Sequence, residues 1–491
     1  MCNLESARAG RAVHMGKGKN MTSIRTARVG ALATAVALGA ALVAVPGPSS
    51  AAEELEVADA TVDGPIPTTS PDAGGDPAAP TVDGTYPWFS TWVDLRAAGF
   101  VEEEFYVSGE ANAFDPASGA LVEEDVPYRT RIIVRRPAKD AHFNGTVLAE
   151  WQNVTAGYDL DALWGYEDVL RDGYAWVGIS AQRVGVNHLT GWSPARYGDL
   201  EVTAGGTYLN DELSYDIFAQ AGKALADPSG VDPMGGLDVD TVLAIGASQS
   251  AGRMVGYYDG VLQHAEAVFD GYAYVVGSAP QSRDHGPIFQ ILSETDVIFG
   301  GGPASRPPDS DDFRRWEVAG TAHSGWSGPV YRAPLQERDN PGGATEYNCV
   351  FPPFSRAPLH HVLAAAYDHL AVWARGGAAP PIAEPLAFDA NGVVRDELGL
   401  AVGGIRLSQV EVPIALNDGT NSPADISSFF CVLFGEHQPF DDETLDALYR
   451  NHGRYVSAVR KADNANVAAG YIDRADAQQN QREAAHSPIG R

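Results

Sequence analysis

The stretch Leu243-Ala244-Ile245-Gly246-Ala247-Ser248-Gln249-Ser250-Ala251-Gly252 carries more structural information than any other part of the chain. Thr241 to Ile245 is an apolar run of β type, and it leads directly into small residues centred on one serine. A helix-capable segment, Ala251 to Leu262, follows at once. A strand, a tight turn and a helix in that order are the setting of a nucleophile elbow, which holds a serine hydroxyl proud of a sheet edge. Such a turn crowds its neighbours, so the positions two before and two after the serine must be small. Gly246 and Ser250 meet that need, with Ser250 standing where the usual pattern has glycine. A Gly-x-Ser-x-Ser string arises readily by chance, and it is the strand and helix around Ser248 that give it weight.

Outward from this turn the pattern repeats. Short apolar runs at Thr146–Trp151, Ala175–Ser180, Tyr272–Gly277, Ile288–Leu292 and Trp316–Ala319 alternate with helix-length segments at Asp161–Asp172, Asp211–Ala226 and Ala251–Leu262. Near-continuous apolar strands separated by helices indicate an α/β fold with a mostly parallel sheet covered on both faces. Before it, Phe100–Ser108 and Tyr128–Val134 alternate as N-terminal strands, and after it Leu359–Gly376 and Asp441–Asn464 read as a helical C-terminal extension. No internal boundary is evident, so residues 86–491 are expected to form one domain.

A serine nucleophile requires a base, and the base an orienting acid. In sheets of this type they follow in the order serine, acid, histidine, on loops after successive strands. After Ile288–Leu292 comes Ser293-Glu294-Thr295-Asp296, and after Trp316–Ala319 comes Gly320-Thr321-Ala322-His323. Ser248, Asp296 and His323 are therefore the expected catalytic residues. Glu294 is the alternative acid; Asp296 is preferred because it lies farther past the strand end. Donors for a developing oxyanion are expected from the Gln249 N–H and from the Asn153–Val154 backbone, in the loop after Thr146–Trp151. Trp164, Trp192, Trp326 and Phe299 are candidates for an apolar pocket, although most aromatic residues simply fill cores. His360-His361 reads as surface or core, since it lacks a glutamate at metal-ligand spacing. With no Cys-x-x-Cys, no glycine-rich phosphate loop with lysine and no His-Glu-x-x-His, neither a metal nor another cofactor is expected.

The first fifty residues read differently. Arg25 and Arg28 precede a charge-free run from Val29 to Val45, Pro46-Gly47-Pro48 breaks it, and Ser50-Ala51-Ala52 offers small residues for cleavage. These features predict a secretory signal over residues 1–52, with 1–20 as a possible upstream start before Met21. Residues 53–85, rich in Pro, Gly, Asp and Ala, are expected to be a disordered leader. The formal net charge of −30, which cleavage would make more negative, disfavours nucleic acid and anionic lipid as partners. No membrane association is expected after cleavage, and the oligomeric state stays open. Cys349 and Cys431 are the cysteines beyond the signal and, in an exported chain, are expected to form a disulfide.

Several of these motifs are shared with a known family. The chain resembles uncharacterised secreted bacterial proteins with an α/β-hydrolase domain. The likeness rests on Phe143-Asn144-Gly145-Thr146 leading to Glu150-Trp151-Gln152-Asn153-Val154, on Gly173-Tyr174-Ala175-Trp176-Val177-Gly178, and on Gly246 to Gly252. It continues through Ser293 to Val297, Trp316 to His323 and Phe430 to Gly435. The resemblance implies an α/β-hydrolase fold with Ser248 as nucleophile and His323 as base, and no particular substrate. One departure is that Ser324-Gly325 follows His323, where the family leads one to expect an acidic residue. The expected activity is cleavage of small or polymeric carboxylic esters through an acyl-enzyme. The rivals are acyl transfer or amide cleavage by the same residues, and a non-catalytic extracellular binding protein on the same scaffold.

Overall fold

Residues 54–68 and 85–491 are described by a computed structural model. The apolar runs form strands, and the main sheet comprises β1 (Thr61–Asp63), β2 (Phe100–Phe114), β3 (Leu121–Pro137), β4 (Thr146–Trp151), β5 (Ala175–Ile179), β6 (Ser229–Gly230), β7 (Thr241–Ala247), β8 (Gly271–Val275), β9 (Ile288–Ser293) and β10 (Phe313–Val318). Their spatial order is β10-β9-β8-β7-β4-β5-β3-β2-β1-β6. From β10 to β5 every pairing is parallel. The β2–β3 hairpin then continues the sheet in antiparallel sense.

Every residue of β4, β5, β7 and β8 is buried, as strands covered on both faces require. The covering helices are α1 (Tyr166–Asp172), α2 (Arg183–Trp192), α3 (Pro194–Tyr197), α4 (Ser214–Ala226), α5 (Gln249–Asp259), α6 (Glu294–Phe299), α7 (Ser327–Asp339), α8 (Leu359–Ala374), α9 (Ser408–Glu411), α10 (Asp442–Leu448), α11 (His452–Ala469) and α12 (Arg474–His486). α4 and α5 pack on β4 and β7, while α8 packs on β7, β8 and β9. The last three helices confirm a helical C-terminal segment.

The strand order fixes where a site can form. From β4 the chain moves one way to β5, then returns to place β7 on β4's other flank. Loops leaving the carboxyl ends of β4 and β7 therefore diverge, opening a crevice at the topological switch point.

Differences from the sequence expectations have local causes. Of the leader expected over 53–85, residues 54–68 are described and Thr61–Asp63 among them form β1 of the sheet, a correction for that part. Leu55 N–H donates to the His264 carbonyl at 2.7 Å, and β1 pairs antiparallel with β2, burying Val62 completely. A three-residue strand followed at once by Gly64-Pro65 is too short to show a period. The expected signal, with its upstream start, and the rest of the leader fall in 1–53 and 69–84, outside the described residues.

The helix expected at Asp161–Asp172 begins only at Tyr166. Residues 159–165 are instead a loop tied to buried charge: Asp161 Oδ2 lies 2.7 Å from Arg135, Asp159 3.6 Å from Arg131, and Glu150 accepts the Ala162 N–H at 2.9 Å. Cys349 and Cys431 are joined as a disulfide with their Cα atoms 5.5 Å apart.

Candidate active site

Ser248 sits between the end of β7 and the first residue of α5 with φ +55° and ψ −113°. A side chain rarely tolerates a positive φ unless its surroundings impose it, so this is a locally strained serine. The neighbours explain how it is held. A Cβ added to Gly246 would meet the Met254 sulfur at 2.5 Å, and one on Gly277 would meet the Ala251 Cβ at 2.7 Å. The hydroxyl of Ser250 accepts the Ala247 N–H and donates to the Ala247 carbonyl, both at 3.0 Å. Serine at this position thus stitches the turn to itself. The amide of Asn153 reaches across from the β4 loop to the same carbonyl at 2.9 Å.

His323 lies on the loop after β10, and its Nδ1 is 2.6 Å from Oδ1 of Asp296. Asp296 is the third residue of α6 and forms a capping box with Ser293, whose N–H and hydroxyl both donate to Oδ2. The backbone N–H of His323 is held by the Thr295 hydroxyl at 3.1 Å. One turn of helix therefore fixes both the acid and the histidine backbone. Glu294 is placed elsewhere: it is fully buried, accepts the Gly320 N–H at 2.7 Å and pairs with Arg395 at 2.6 Å. Burial and neighbouring Asp418 push its carboxyl above the usual range, against the opposing pull of Arg395. Of the two acids considered from sequence, Asp296 is the one beside His323.

The expected oxyanion donors need one correction. The Val154 N–H donates to the side-chain oxygen of Gln249 at 3.3 Å, so it is already engaged. Gln249 also donates to Gln182 at 2.6 Å, and Gln182 in turn donates to the Gln152 carbonyl at 3.2 Å. These contacts lock the β4 loop to the start of α5. The Gln249 N–H has no acceptor within α5, as for the first N–H groups of any helix. Nothing in the sequence singled out Gln182, because its role depends on the adjacency of the β4 and β5 exits.

Ser248 and His323 line one cavity of about 890 Å³, a volume suited to a small organic ligand. Asn153, Trp164 and Trp326 line it as well. Trp192 and Phe299 do not, and this corrects the pocket expectation for both. Trp192 packs edge-on against Trp88 and donates its indole N–H to the Asp339 carbonyl at 3.1 Å, while Phe299 is 60% exposed. His360 and His361, read as surface or core, line the cavity from the first turn of α8. Burial lowers both, His360 to about 4. Neutral imidazoles, the Trp164 indole N–H and the Tyr367 hydroxyl give this wall polar atoms with no partner among the described residues.

A family model described as alpha/beta hydrolase domain matches residues 62–482. No curated protein matches. Among solved structures, the esterase Est22 shares 10% identity over 50% of this chain and 78% of its own, with a TM-score of 0.27. The rice cell wall degrading esterase LipA from Xanthomonas oryzae shares 14% over 36% of this chain and 42% of its own, with a TM-score of 0.21. A glucuronoyl esterase from Solibacter usitatus shares 11% over 45% and 76%, with a TM-score of 0.24. Similarities of this size assign no activity. The match over residues 62–482, on a mostly parallel sheet covered by helices, places the chain in the alpha/beta hydrolase domain family.

Proposed function

We propose that the protein is a secreted serine hydrolase that cleaves carboxylic esters, with Ser248 as nucleophile, His323 as general base and Asp296 as the orienting acid. The observation that carries this reading is the combination of a strained serine at the β7–α5 turn with a histidine held 2.6 Å from Asp296 on the wall of the same cavity. In the proposed cycle the Asp296 carboxylate accepts the His323 Nδ1–H, which leaves a lone pair on Nε2. The Ser248 oxygen attacks the ester carbonyl carbon as its proton passes to Nε2. The oxyanion is met by the Gln249 N–H, with the backbone N–H of Asn153, on the wall of the same cavity, as the second proposed contributor. Collapse expels the alcohol, which takes the proton from His323 and leaves an acyl-serine. Water then attacks by the same route, and ester plus water give acid plus alcohol.

Export is supported by the signal pattern of residues 1–52 and by the Cys349–Cys431 disulfide, which suits an oxidising compartment. Among the described residues no helix is long and apolar enough to cross a membrane. The test is turnover of p-nitrophenyl butyrate. Ser248→Ala is expected to lose at least about 10³-fold in kcat with an unchanged circular dichroism spectrum. Retained turnover would remove the assignment.

A further inference from the structure

Arg332 is the feature of the cavity that ester hydrolysis alone leaves unused. It lies in the second turn of α7 and lines the cavity shared by Ser248 and His323. Most arginines in the protein's interior are matched: Arg135 by Glu102 and Asp161, Arg131 by Glu104, Arg338 by Asp339. Arg332 makes no ion pair and no hydrogen bond with any described residue, although the chain carries 64 acidic side chains against 34 basic ones. The acids near enough to influence it, Asp161 and Glu150, are committed elsewhere. Asp161 is held by Arg135 and by the Gln152 amide, and Glu150 by the Ala162 and Leu163 N–H groups and the Trp176 indole.

The backbone makes room for this guanidinium. A Cβ on Gly328, four residues earlier on the same helix and also on the cavity wall, would meet Nη1 of Arg332 at 2.9 Å and Nη2 at 3.0 Å. The planar group therefore lies against a bare backbone. Burial pulls it below the ordinary arginine value, the cost of a cation whose counter-charge is missing. Tyr158 and Gln336, which also line the cavity, are hydrogen-bonded to each other at 2.9 Å and leave the guanidinium's donors unclaimed.

A partly desolvated fork of donors on the wall of a ligand cavity matches a carboxylate, which it can engage through two parallel hydrogen bonds. Asp161, Glu167, Asp168, Asp172 and Glu483 also line the cavity, and Asp161, Asp168 and Asp172 are each paired with an arginine, which limits their opposition to a bound anion. We propose that the ester substrate carries a second, ionised carboxylate, and that Arg332 binds it and sets the specificity. This rests on the ester-hydrolase reading above and names its substrate class.

The test uses two pairs of esters matched in shape and differing in charge. Monomethyl terephthalate against methyl 4-methylbenzoate places the charge on the acyl side. The butyryl ester of 7-hydroxycoumarin-3-carboxylate against that of 7-hydroxy-3-methylcoumarin places it on the alcohol side. In at least one pair the native enzyme is expected to favour the anion at least tenfold in kcat/KM. Arg332→Gln should cut that ratio at least tenfold, mainly through KM, and Arg332→Lys should retain an intermediate ratio. Gly328→Ala, which changes no charge but displaces the guanidinium, should lower it as well. A ratio of one or less in both pairs, or a preference indifferent to Arg332→Gln, overturns the proposal while leaving ester hydrolysis standing. A second arm needs no turnover. Monomethyl terephthalate titrated into Ser248→Ala should bind at least tenfold tighter than its neutral partner, and the added Arg332→Gln change should remove the difference; equal binding of the two esters overturns the proposal. Absence of any Ser248-dependent turnover of all four esters would instead remove the hydrolase reading.

Discussion

At the residue scale, two neighbouring carboxylates separate by what surrounds them. Asp296 and Glu294 stand on the same short helix, yet one meets His323 and the other is buried under Gly320, Gly419 and Arg395. Asp296→Asn would keep the shape and lose the acceptor that orients the imidazole, so kcat is expected to fall about 10²–10⁴-fold with little change in melting temperature. Glu294→Gln should behave oppositely. It leaves the Arg395 guanidinium with Asp418 as its remaining counter-charge and should lower stability by about 1–3 kcal/mol, since Arg395 is itself partly exposed, while kcat falls far less. Kinetics and urea denaturation of the two variants separate the roles. The sequence brought these residues to notice by order alone. It could not divide them, because the difference comes from Arg395 and Gly419, about a hundred residues further along the chain.

At the element scale, the site is assembled from turns that cap helices. Ser293 is the cap of α6, and its hydroxyl also binds the Asp296 carboxylate. Ser293→Ala is expected to cost about 0.5–2 kcal/mol in stability, measured by denaturant unfolding, and to lower kcat by less than Asp296→Asn does. The β7 turn was legible because an apolar run, small flanking residues and a helix are local signals. The helix start at Tyr166 was not, because Asp159, Asp161 and the Ala162 N–H are drawn into bonds with β3 and β4, and those bonds outweigh local helix preference. The polar wall of the cavity was illegible for a similar reason. His360 and His361 acquire their place only when α8 packs on β8 and β9.

At the scale of the whole molecule, the parallel strands were readable from composition, whereas the edge built by β1 was not, being three residues long and dependent on β2 for its partners. Beneath the loop that frames the cavity lies Glu150, whose carboxyl burial pushes up to about 8. Its folded value exceeds the value of about 4.5 in an unfolded chain, so the folded state keeps a proton that the unfolded state releases between those limits. The contribution of Glu150 to stability is therefore expected to fall as pH rises from about 4.5 to 8, by at most about 1.4 kcal/mol per unit. Glu150→Gln should flatten that slope in melting temperatures taken across the range; an equal slope would contradict the assignment. The central claim, however, concerns the meeting of three separate loops at one serine. It is tested most directly by a fluorophosphonate probe followed by peptide mass spectrometry. The account predicts one phosphonylated residue, Ser248, with labelling lost in Ser248→Ala and slowed at least about 10³-fold in His323→Ala. Labelling at another residue, or none in the folded native protein, would contradict it.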